Sequence, residues 1–308
     1  MRPAWSVIFF TSISGVGYGL TFWLGLFVLL GFPTVNTRLS LIALGLGFVL
    51  ISAGLLSSTL HLHHPERAWR AISQWRSSWL SREGVAALLA YLPLLWLALG
   101  LWRGEASTVA ALLVVITSVV TVFCTAMIYA SLKPIRAWCH SLVPAVYLGF
   151  ALASGAYWLL LLLTPVTLAP AWLPAVSTVA LSAVWLAKFR YWRDVDQGRS
   201  PSSAATATGL SGAVAPLDPP HTEENYLLHE MAYTVARRHV DKLRRIAVVL
   251  GLLLPLLSLA GLLLPGAASA GVLGVGALAL TVGILIERWL FFAEARHTVA
   301  LYYGASHA

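Results

Sequence analysis

The sequence contains few charged residues. Asp, Glu, Lys and Arg together make up 10% of its 308 residues, whereas apolar residues make up 59%. Ordinary soluble domains have about 25% charged residues, so this chain lacks the polar side chains that would cover a water-soluble globule of its size. The solvent that faces its apolar side chains is therefore lipid, and a soluble globular protein is excluded.

Cysteine is also scarce, since the chain contains only Cys124 and Cys139. A structural zinc site made of thiolates and an iron–sulfur cluster each take about four ligands. We therefore expect neither kind of site within this chain. Apart from the haem alternative considered below, we expect no metal site here.

Long apolar segments, in contrast, are abundant. A helix needs about 20 residues to cross the hydrocarbon core of a bilayer, and eight segments have roughly this length. They are continuous and rich in Leu and Ala, which predicts helices and argues against the alternating strands of a membrane barrel. We expect an all-α integral membrane protein, with one transmembrane anchor domain over 1–308. The approximate limits of the segments are 6–31, 38–60, 84–102, 108–131, 141–164, 170–188, 246–265 and 271–291.

Lys and Arg are distributed unevenly between the two predicted membrane faces. All of them except Arg38 and Arg103 fall on the side where the first segment begins. Loops rich in Lys and Arg stay in the cytoplasm, so we expect a multi-pass protein of the inner membrane with both termini cytoplasmic. The net charge of +8 is then explained by topology and by contact with lipid headgroups, and it gives no reason to expect nucleic acid as a partner.

The long loop between the sixth and seventh segments has two parts. Residues 194–224 are rich in Ala, Ser, Pro and Gly, a composition that predicts a flexible cytoplasmic linker. Residues 225–245 place Leu227, Met231 and Val235 near one helical face, which predicts an amphipathic cytoplasmic helix that leads into the seventh segment. This helix either lies on the lipid headgroups or docks a partner.

The middles of the predicted helices are nearly free of ionisable residues. A transporter is expected to carry such residues, or broken helices, near the midplane, so transport is disfavoured. We expect Glu287 and Arg288, at the end of the last segment, to extend towards water. Gly15, Gly17 and Gly19 in the first segment are typical of close helix packing, although they could instead let a flat ligand approach.

Polar residues gather at the cytoplasmic ends of the segments. The second segment ends in LHLHHPERAW, which contains His61, and the third opens with SREG, which contains Glu83. Antiparallel neighbours place these two residues at similar depth, where a His beside a carboxylate suits proton exchange near neutral pH. The alternative is a helix cap with interfacial polar residues.

A second polar group follows the fourth segment. Tyr129 and Trp138 can line a flat aromatic pocket, and Arg136 can bind a carbonyl oxygen or a partner carboxylate. These residues could equally be interfacial anchors.

Haem is a less favoured alternative. A haem with two His ligands needs them on facing helices, and a transmembrane pair of haems needs His near both surfaces. His61, His140 and His297 all fall on one side, which excludes a transmembrane pair and leaves a single haem b as the remaining possibility.

Several of these segments carry a family resemblance. The eight-helix plan, LHLHHPERAW, SREG and the closing IERWLFFAEARH resemble the membrane-anchor subunit of the dimethyl sulfoxide reductase family. Within that family, SVIFFTSISGVGYGL, MIYASLKPIRAW and PHTEENYLLHEMAYTVARRHVDKLR are similar to the anchor of the quinone-linked cytoplasmic sulfite dehydrogenases. The resemblance covers nearly the whole chain.

The resemblance implies a heterotrimer, or a multiple of it, in which this anchor joins an iron–sulfur electron-transfer subunit and a molybdopterin catalytic subunit. It implies an oxidoreductase that oxidises sulfite to sulfate in the cytoplasm and passes electrons to ubiquinone or menaquinone. The alternative is a quinol-oxidising reductase of the dimethyl sulfoxide type.

The resemblance also implies which residues serve the quinone. In this family a His and a Glu at the positions of His61 and Glu83 serve it, and Arg67 matches an Arg of the same segment. Together with Tyr129 and Arg136 these residues form the predicted quinone pocket.

Overall fold

The structure, a computed structural model, describes residues 3–32, 37–59, 65–166, 169–197, 203–212, 214, 217–218 and 239–302. Eight of its helices are long and apolar enough to cross a membrane, which confirms the predicted all-α bundle. Helices suit this solvent because each satisfies its own backbone hydrogen bonds. They are α1 (Trp5–Leu29), α2 (Thr37–Thr59), α3 (Trp79–Arg103), α4 (Thr108–Ala130), α5 (Leu142–Leu163), α6 (Trp172–Gln197), α7 (Val240–Leu263) and α8 (Gly266–Ala293).

The long loop contains more helix than its sequence predicts. α6 continues to Gln197, and Ala204–Thr208 form a short helix, so parts of the linker predicted over 194–224 are helical. Residues 240–245 of the predicted amphipathic helix form the first turns of α7. The rest of that prediction, 225–238, lies outside the described residues.

Hydrogen bonds tie several helix ends together at one end of the bundle. The end of α2 meets the start of α1, where the hydroxyl of Ser57 donates to the carbonyl oxygen of Ser6 (3.0 Å). The chain after α4 meets the end of α8, where the indole N–H of Trp138 donates to the carbonyl oxygen of Phe291 (3.0 Å). We call this end of the bundle the basic end, because the loops that contain most of the Lys and Arg residues lie there.

α1 is the central helix, packed against α2, α4 and α5. Gly17 lies against Gly47 of α2, where an added Cβ would come within 2.9 Å of the Gly47 carbonyl oxygen. Gly19 lies against Ala151 and Gly155 of α5, and a Cβ there would overlap the Ala151 carbonyl group. These two glycines therefore have the packing role expected of small residues in membrane helices.

α1 and α7 each contain one π-helical turn, at Phe10–Ser14 and Val249–Leu253. In α7 the wider turn leaves the carbonyl oxygen of Gly251 to accept a hydrogen bond from the indole N–H of Trp185 in α6 (2.8 Å). In α1 the wider turn is buried and includes the polar Ser12. Turns of this kind are rare and often occur at functional sites.

Candidate functional site

Glu83 lies in the second turn of α3, near the basic end, and is only 4% exposed. Its carboxylate accepts a short hydrogen bond from the hydroxyl of Thr125 in α4. The same hydroxyl lies 3.0 Å from the carbonyl oxygen of Thr121, one turn away. The carboxylate therefore lies between α3 and α4 inside the bundle, with one of its oxygens bound to Thr125.

The other predicted site residues lie in different surroundings. His61 is outside the described residues, so its approach to Glu83 stays a prediction. Arg67 is exposed, 3.8 Å from the carboxylate of Glu66, and Arg136 is half-buried in the loop after α4. Both arginines therefore lie nearer the protein surface than Glu83.

Tyr129, near the end of α4, is buried among packed aromatic rings. Its ring lies edge-on to that of Trp138, with 5.3 Å between centroids, and stacks on that of Tyr147 at 5.9 Å. Phe291 and Phe292 of α8 complete the cluster. The space between Tyr129 and Trp138, which could form a flat aromatic pocket, is therefore occupied by protein side chains in this structure.

Three charged side chains are buried together between α6 and α8. The Nζ of Lys188 lies 2.5 Å from a carboxylate oxygen of Glu287, and Nη1 of Arg288 lies 2.9 Å from the other. The Arg288 guanidinium also lies over the ring of Tyr147 in α5, at 3.5 Å from its centroid. A buried charge is tolerated when it is paired and hydrogen-bonded, and this carboxylate pairs with both cations.

The expectation that Glu287 and Arg288 extend towards water is wrong. Both face the interior, where Arg288 contacts Tyr147 of α5 and Glu287 contacts Lys188 of α6. The position of Lys188 is the signal that could have indicated this arrangement. Because α6 ends at Gln197, Lys188 lies more than two turns inside the helix. A cation buried at that depth is expected to pair with a carboxylate on a neighbouring helix.

A small cavity lies in the interior between α1, α4, α5 and α8. Its volume is about 10 Å³, which is room for about one water molecule. Polar groups of Ser12, Thr125, Tyr147 and Arg288 line it. Within the part of the chain that the structure describes, Ser12 Oγ, Tyr147 OH and Arg288 Nε have no hydrogen-bond partner. Each buried polar group left in that state costs about 1–3 kcal/mol.

Arg244 joins three helices at the basic end. It lies at the start of α7 and donates two hydrogen bonds to the carboxylate of Asp196 in α6 (2.6 and 3.0 Å). It donates two more to Glu294, which follows α8 (3.1 and 2.6 Å). Paired N–H groups of this kind fix both distance and orientation, so α6, α7 and α8 are held in one arrangement at this end.

His140 lies in the loop between α4 and α5. Its Nδ1 accepts a hydrogen bond from the backbone N–H of Leu142 at the start of α5 (3.2 Å). Partial burial lowers the pKa of His140, and the carboxylate of Asp194, 3.7 Å from Nε2, offsets part of that decrease. Because Nδ1 accepts the hydrogen bond from Leu142, it carries no proton, and the imidazole of His140 is neutral in this arrangement.

Metal-ligating residues are dispersed through the bundle. Among the described residues, no group of three or more His, Cys, Asp or Glu could hold a metal ion. Cys124 is buried and Cys139 is exposed, and both are free thiols. The expectation that the whole chain has no metal site stays a prediction, because residues such as His61 are not among those described.

Comparison with known proteins places the chain in a family. The model of the family described as DMSO reductase anchor subunit (DmsC) matches residues 1–304. One subunit of the sulfite dehydrogenase of Allochromatium vinosum is 31% identical to this chain, over 98% of the chain and 99% of the relative. These matches confirm the resemblance drawn from the sequence motifs, and the chain belongs to the DMSO reductase anchor subunit family.

Proposed function

We propose that the chain is the membrane anchor of a sulfite-oxidising complex and transfers the electrons of that reaction to quinone. Its similarity to a subunit of a sulfite dehydrogenase supports this substrate. In the proposed complex the molybdopterin catalytic subunit and the iron–sulfur subunit bind at the basic end, on the cytoplasmic side of the inner membrane. The uneven distribution of Lys and Arg supports that orientation.

The observation that carries the proposal is the Glu83 carboxyl group. A carboxyl group inside an apolar bundle is costly, and its presence there indicates a function. Glu83 lies in the second turn of α3, near the basic end, and its side chain is buried in the bundle. Thr125 holds it in one orientation by the hydrogen bond between α3 and α4.

Quinone, when bound, accepts two electrons and two protons. The partner subunits deliver the electrons, and the redox chemistry on that side of the reaction is carried out by the cofactors bound to those subunits. In this chain Glu83 passes protons from the cytoplasm to the reacting oxygen, and Thr125 orients the carboxyl group. His61 hydrogen-bonds a carbonyl oxygen of the quinone. Arg67, Tyr129 and Arg136 form the protein wall around the quinone pocket. Ubiquinone and menaquinone both have the two carbonyl oxygens that this assignment needs.

The reverse direction is a second candidate, because the matching family takes its description from a reductase. In that case the same residues remove protons from quinol, and electrons flow to the partner subunits. A complex that oxidises quinol with dimethyl sulfoxide, and does not oxidise sulfite, would favour this candidate over the first.

The test uses the complete complex purified from membranes. Sulfite-dependent reduction of a soluble quinone is measured beside reduction of ferricyanide, a dye that takes electrons directly from the water-soluble subunits. We expect Glu83→Gln to slow quinone reduction at least about 100-fold, the usual loss when a proton-transferring group is removed. We expect His61→Ala to slow it at least about tenfold, the effect of losing about one strong hydrogen bond. Dye reduction should be unchanged in both variants. Glu105→Gln is the matched control, because Glu105 is exposed between α3 and α4 at the opposite end.

Two results would overturn the proposal. One is a native complex that reduces the dye with sulfite but does not reduce quinone. The other is a Glu83→Gln complex that reduces quinone as fast as the Glu105→Gln complex.

A further inference from the structure

The interior cavity has more hydrogen-bonding capacity than the described protein uses. Among the side chains that line it, those of Ser12, Tyr147 and Arg288 each have one buried polar atom, Oγ, OH and Nε respectively, without a hydrogen-bond partner among the described residues. All three residues are at least nine-tenths buried, at 1%, 3% and 2% exposure. Buried polar groups are normally paired, so three unpaired groups around one space indicate that a polar atom binds there.

The charges around the cavity indicate what kind of atom binds. Arg288 uses Nη1 for Glu287. Its side chain lines the cavity, and its Nε–H, which can only donate, is buried without a partner among the described residues. Lys188 and Arg288 share the single carboxylate of Glu287, so this buried network contains two basic side chains and one acidic side chain. An electron-rich acceptor oxygen therefore suits the site, and a second cation does not.

The path of α1 creates the space. The π-helical turn of α1 presents Ser12 to the cavity, and Gly15 follows directly and lines it. Gly15 differs from the packing glycines that follow it, because a Cβ at this position would meet only the Cβ of Ala151, at 4.0 Å. The missing side chain at Gly15 therefore leaves room for the cavity, whereas Gly17 and Gly19 lack a side chain so that neighbouring helices can approach closely.

The cavity is directly connected to the proposed proton-transferring residue. Thr125 lines the cavity, and the same hydroxyl group donates to the carboxylate of Glu83. An oxygen bound on Ser12, Tyr147 and Arg288 is thus separated from Glu83 by one side chain.

We propose that the cavity between α1, α4, α5 and α8 is an oxygen-binding site of the quinone reaction. Arg288, Ser12 and Tyr147 hold one acceptor oxygen beside the Glu83–Thr125 pair. That oxygen belongs to a water molecule or to a carbonyl group of the quinone, since the volume admits about one such atom. This proposal rests on the proposed function and adds to it a site and a binding residue, Arg288.

The first test fills the cavity without changing any charge. Gly15→Val places two methyl groups in the space, and Gly45→Val is the matched control, because a Cβ at Gly45 of α2 has nothing within 4 Å. We expect Gly15→Val to lower kcat/KM for quinone at least about tenfold, the effect of losing about one hydrogen bond to a charged group. Dye reduction should not change, and Gly45→Val should behave like the native complex.

The second test changes the donor. Arg288→Gln should lower quinone turnover, and Arg288→Lys, which keeps a charged donor, should restore part of it. The separate effects of Arg288→Gln on KM and on kcat for quinone identify the molecule to which the oxygen belongs. A raised KM for quinone with little change in kcat indicates a quinone carbonyl, whereas a lowered kcat with unchanged KM and an altered rate ratio in H2O and D2O indicates a water molecule.

The results distinguish failure of this inference from failure of the proposed function. A native complex without quinone activity would remove the proposed function itself. A native complex with full quinone activity, in which Gly15→Val matches Gly45→Val, would overturn the oxygen site alone. If the Arg288→Gln protein does not accumulate, the comparison of Gly15→Val with Gly45→Val still tests the oxygen site.

Discussion

The Nζ of Lys188 lies 2.5 Å from a carboxylate oxygen of Glu287 in the interior of the bundle, where their side chains are 1% and 0% exposed. Arg288, the next residue along α8, pairs with the other carboxylate oxygen. Two cations therefore depend on one buried carboxylate. The three residues join α6 to α8, and one of them, Arg288, also lines the interior cavity.

Removal of the shared carboxylate should be far more harmful than removal of one cation. Glu287→Gln leaves two cations facing each other, a change that costs about 3–5 kcal/mol when a buried pair is broken. Lys188→Met leaves the neutral Glu287–Arg288 pair and should cost much less. Thermal unfolding in detergent measures both, and the double variant should be more stable than Glu287→Gln alone. Equal losses from the two single variants would contradict the shared-carboxylate arrangement.

The hydroxyl of Thr125 should matter to the quinone reaction. Thr125→Val keeps the size of the side chain but removes the hydrogen bond to Glu83, so the carboxyl group loses its fixed orientation. We expect quinone turnover to fall about tenfold, as when one hydrogen bond to a charged group is lost, with dye reduction unchanged. Thr117→Val is the control, since Thr117 lies on the exposed side of α4 and donates to its own helix. Similar rates for the two variants would show that the hydroxyl has no part in turnover.

Gly19 should not tolerate even one additional methyl group. A Cβ at this position overlaps the carbonyl group of Ala151 in α5, so Gly19→Ala must separate α1 from α5. Overpacking of this kind costs about 1–3 kcal/mol or more. The amount of monodisperse protein recovered in detergent should therefore fall, whereas Gly45→Ala, made where a Cβ meets nothing, should not reduce it. Normal recovery of Gly19→Ala would show that the two helices can move apart freely.

His140 should make the bundle less stable in mild acid. Burial lowers the pKa of its imidazole in the native state, so the unfolded chain binds the proton more readily. Stability is then fully present above the ordinary His pKa of about 6.5 and decreases as the pH falls below it. His140→Asn, which keeps an acceptor for the N–H of Leu142, should show a smaller drop in melting temperature between pH 7.5 and 5.5. An identical drop in the two proteins would assign the effect to other groups.

The exposed thiol of Cys139 can report which side of the membrane the basic end faces. A membrane-impermeant maleimide should label Cys139 in inside-out vesicles and leave it unlabelled in intact cells. Glu105→Cys in a Cys139→Ser background should give the opposite result, because Glu105 lies between α3 and α4 at the other end. Cys124 is buried and should stay unlabelled in both preparations. Labelling of Cys139 from outside would reverse the proposed orientation of the complex.

Parts of the candidate site were predictable because they depend on neighbours in the sequence. Glu83 was named from its place at the start of an apolar helix, whereas its burial, at 4% exposure, comes from the packing of α3 against α4. The role of Tyr129 was harder to foresee. An aromatic residue at a helix end can line a pocket or fill one, and the choice depends on Phe291 and Phe292, which come from the far end of the chain.

The sequence by itself determined the solvent, the helix class and the number of membrane segments, because long apolar stretches in lipid must satisfy their own backbone hydrogen bonds. It also determined family membership, through motifs spread along the chain. Only the tertiary structure decided which charges are buried. A Lys, Glu or Arg near a helix end can extend to water or turn inwards, and that choice depends on the facing helix. Lys188 and Glu287 are almost a hundred residues apart, and no local pattern places them within 2.5 Å of each other.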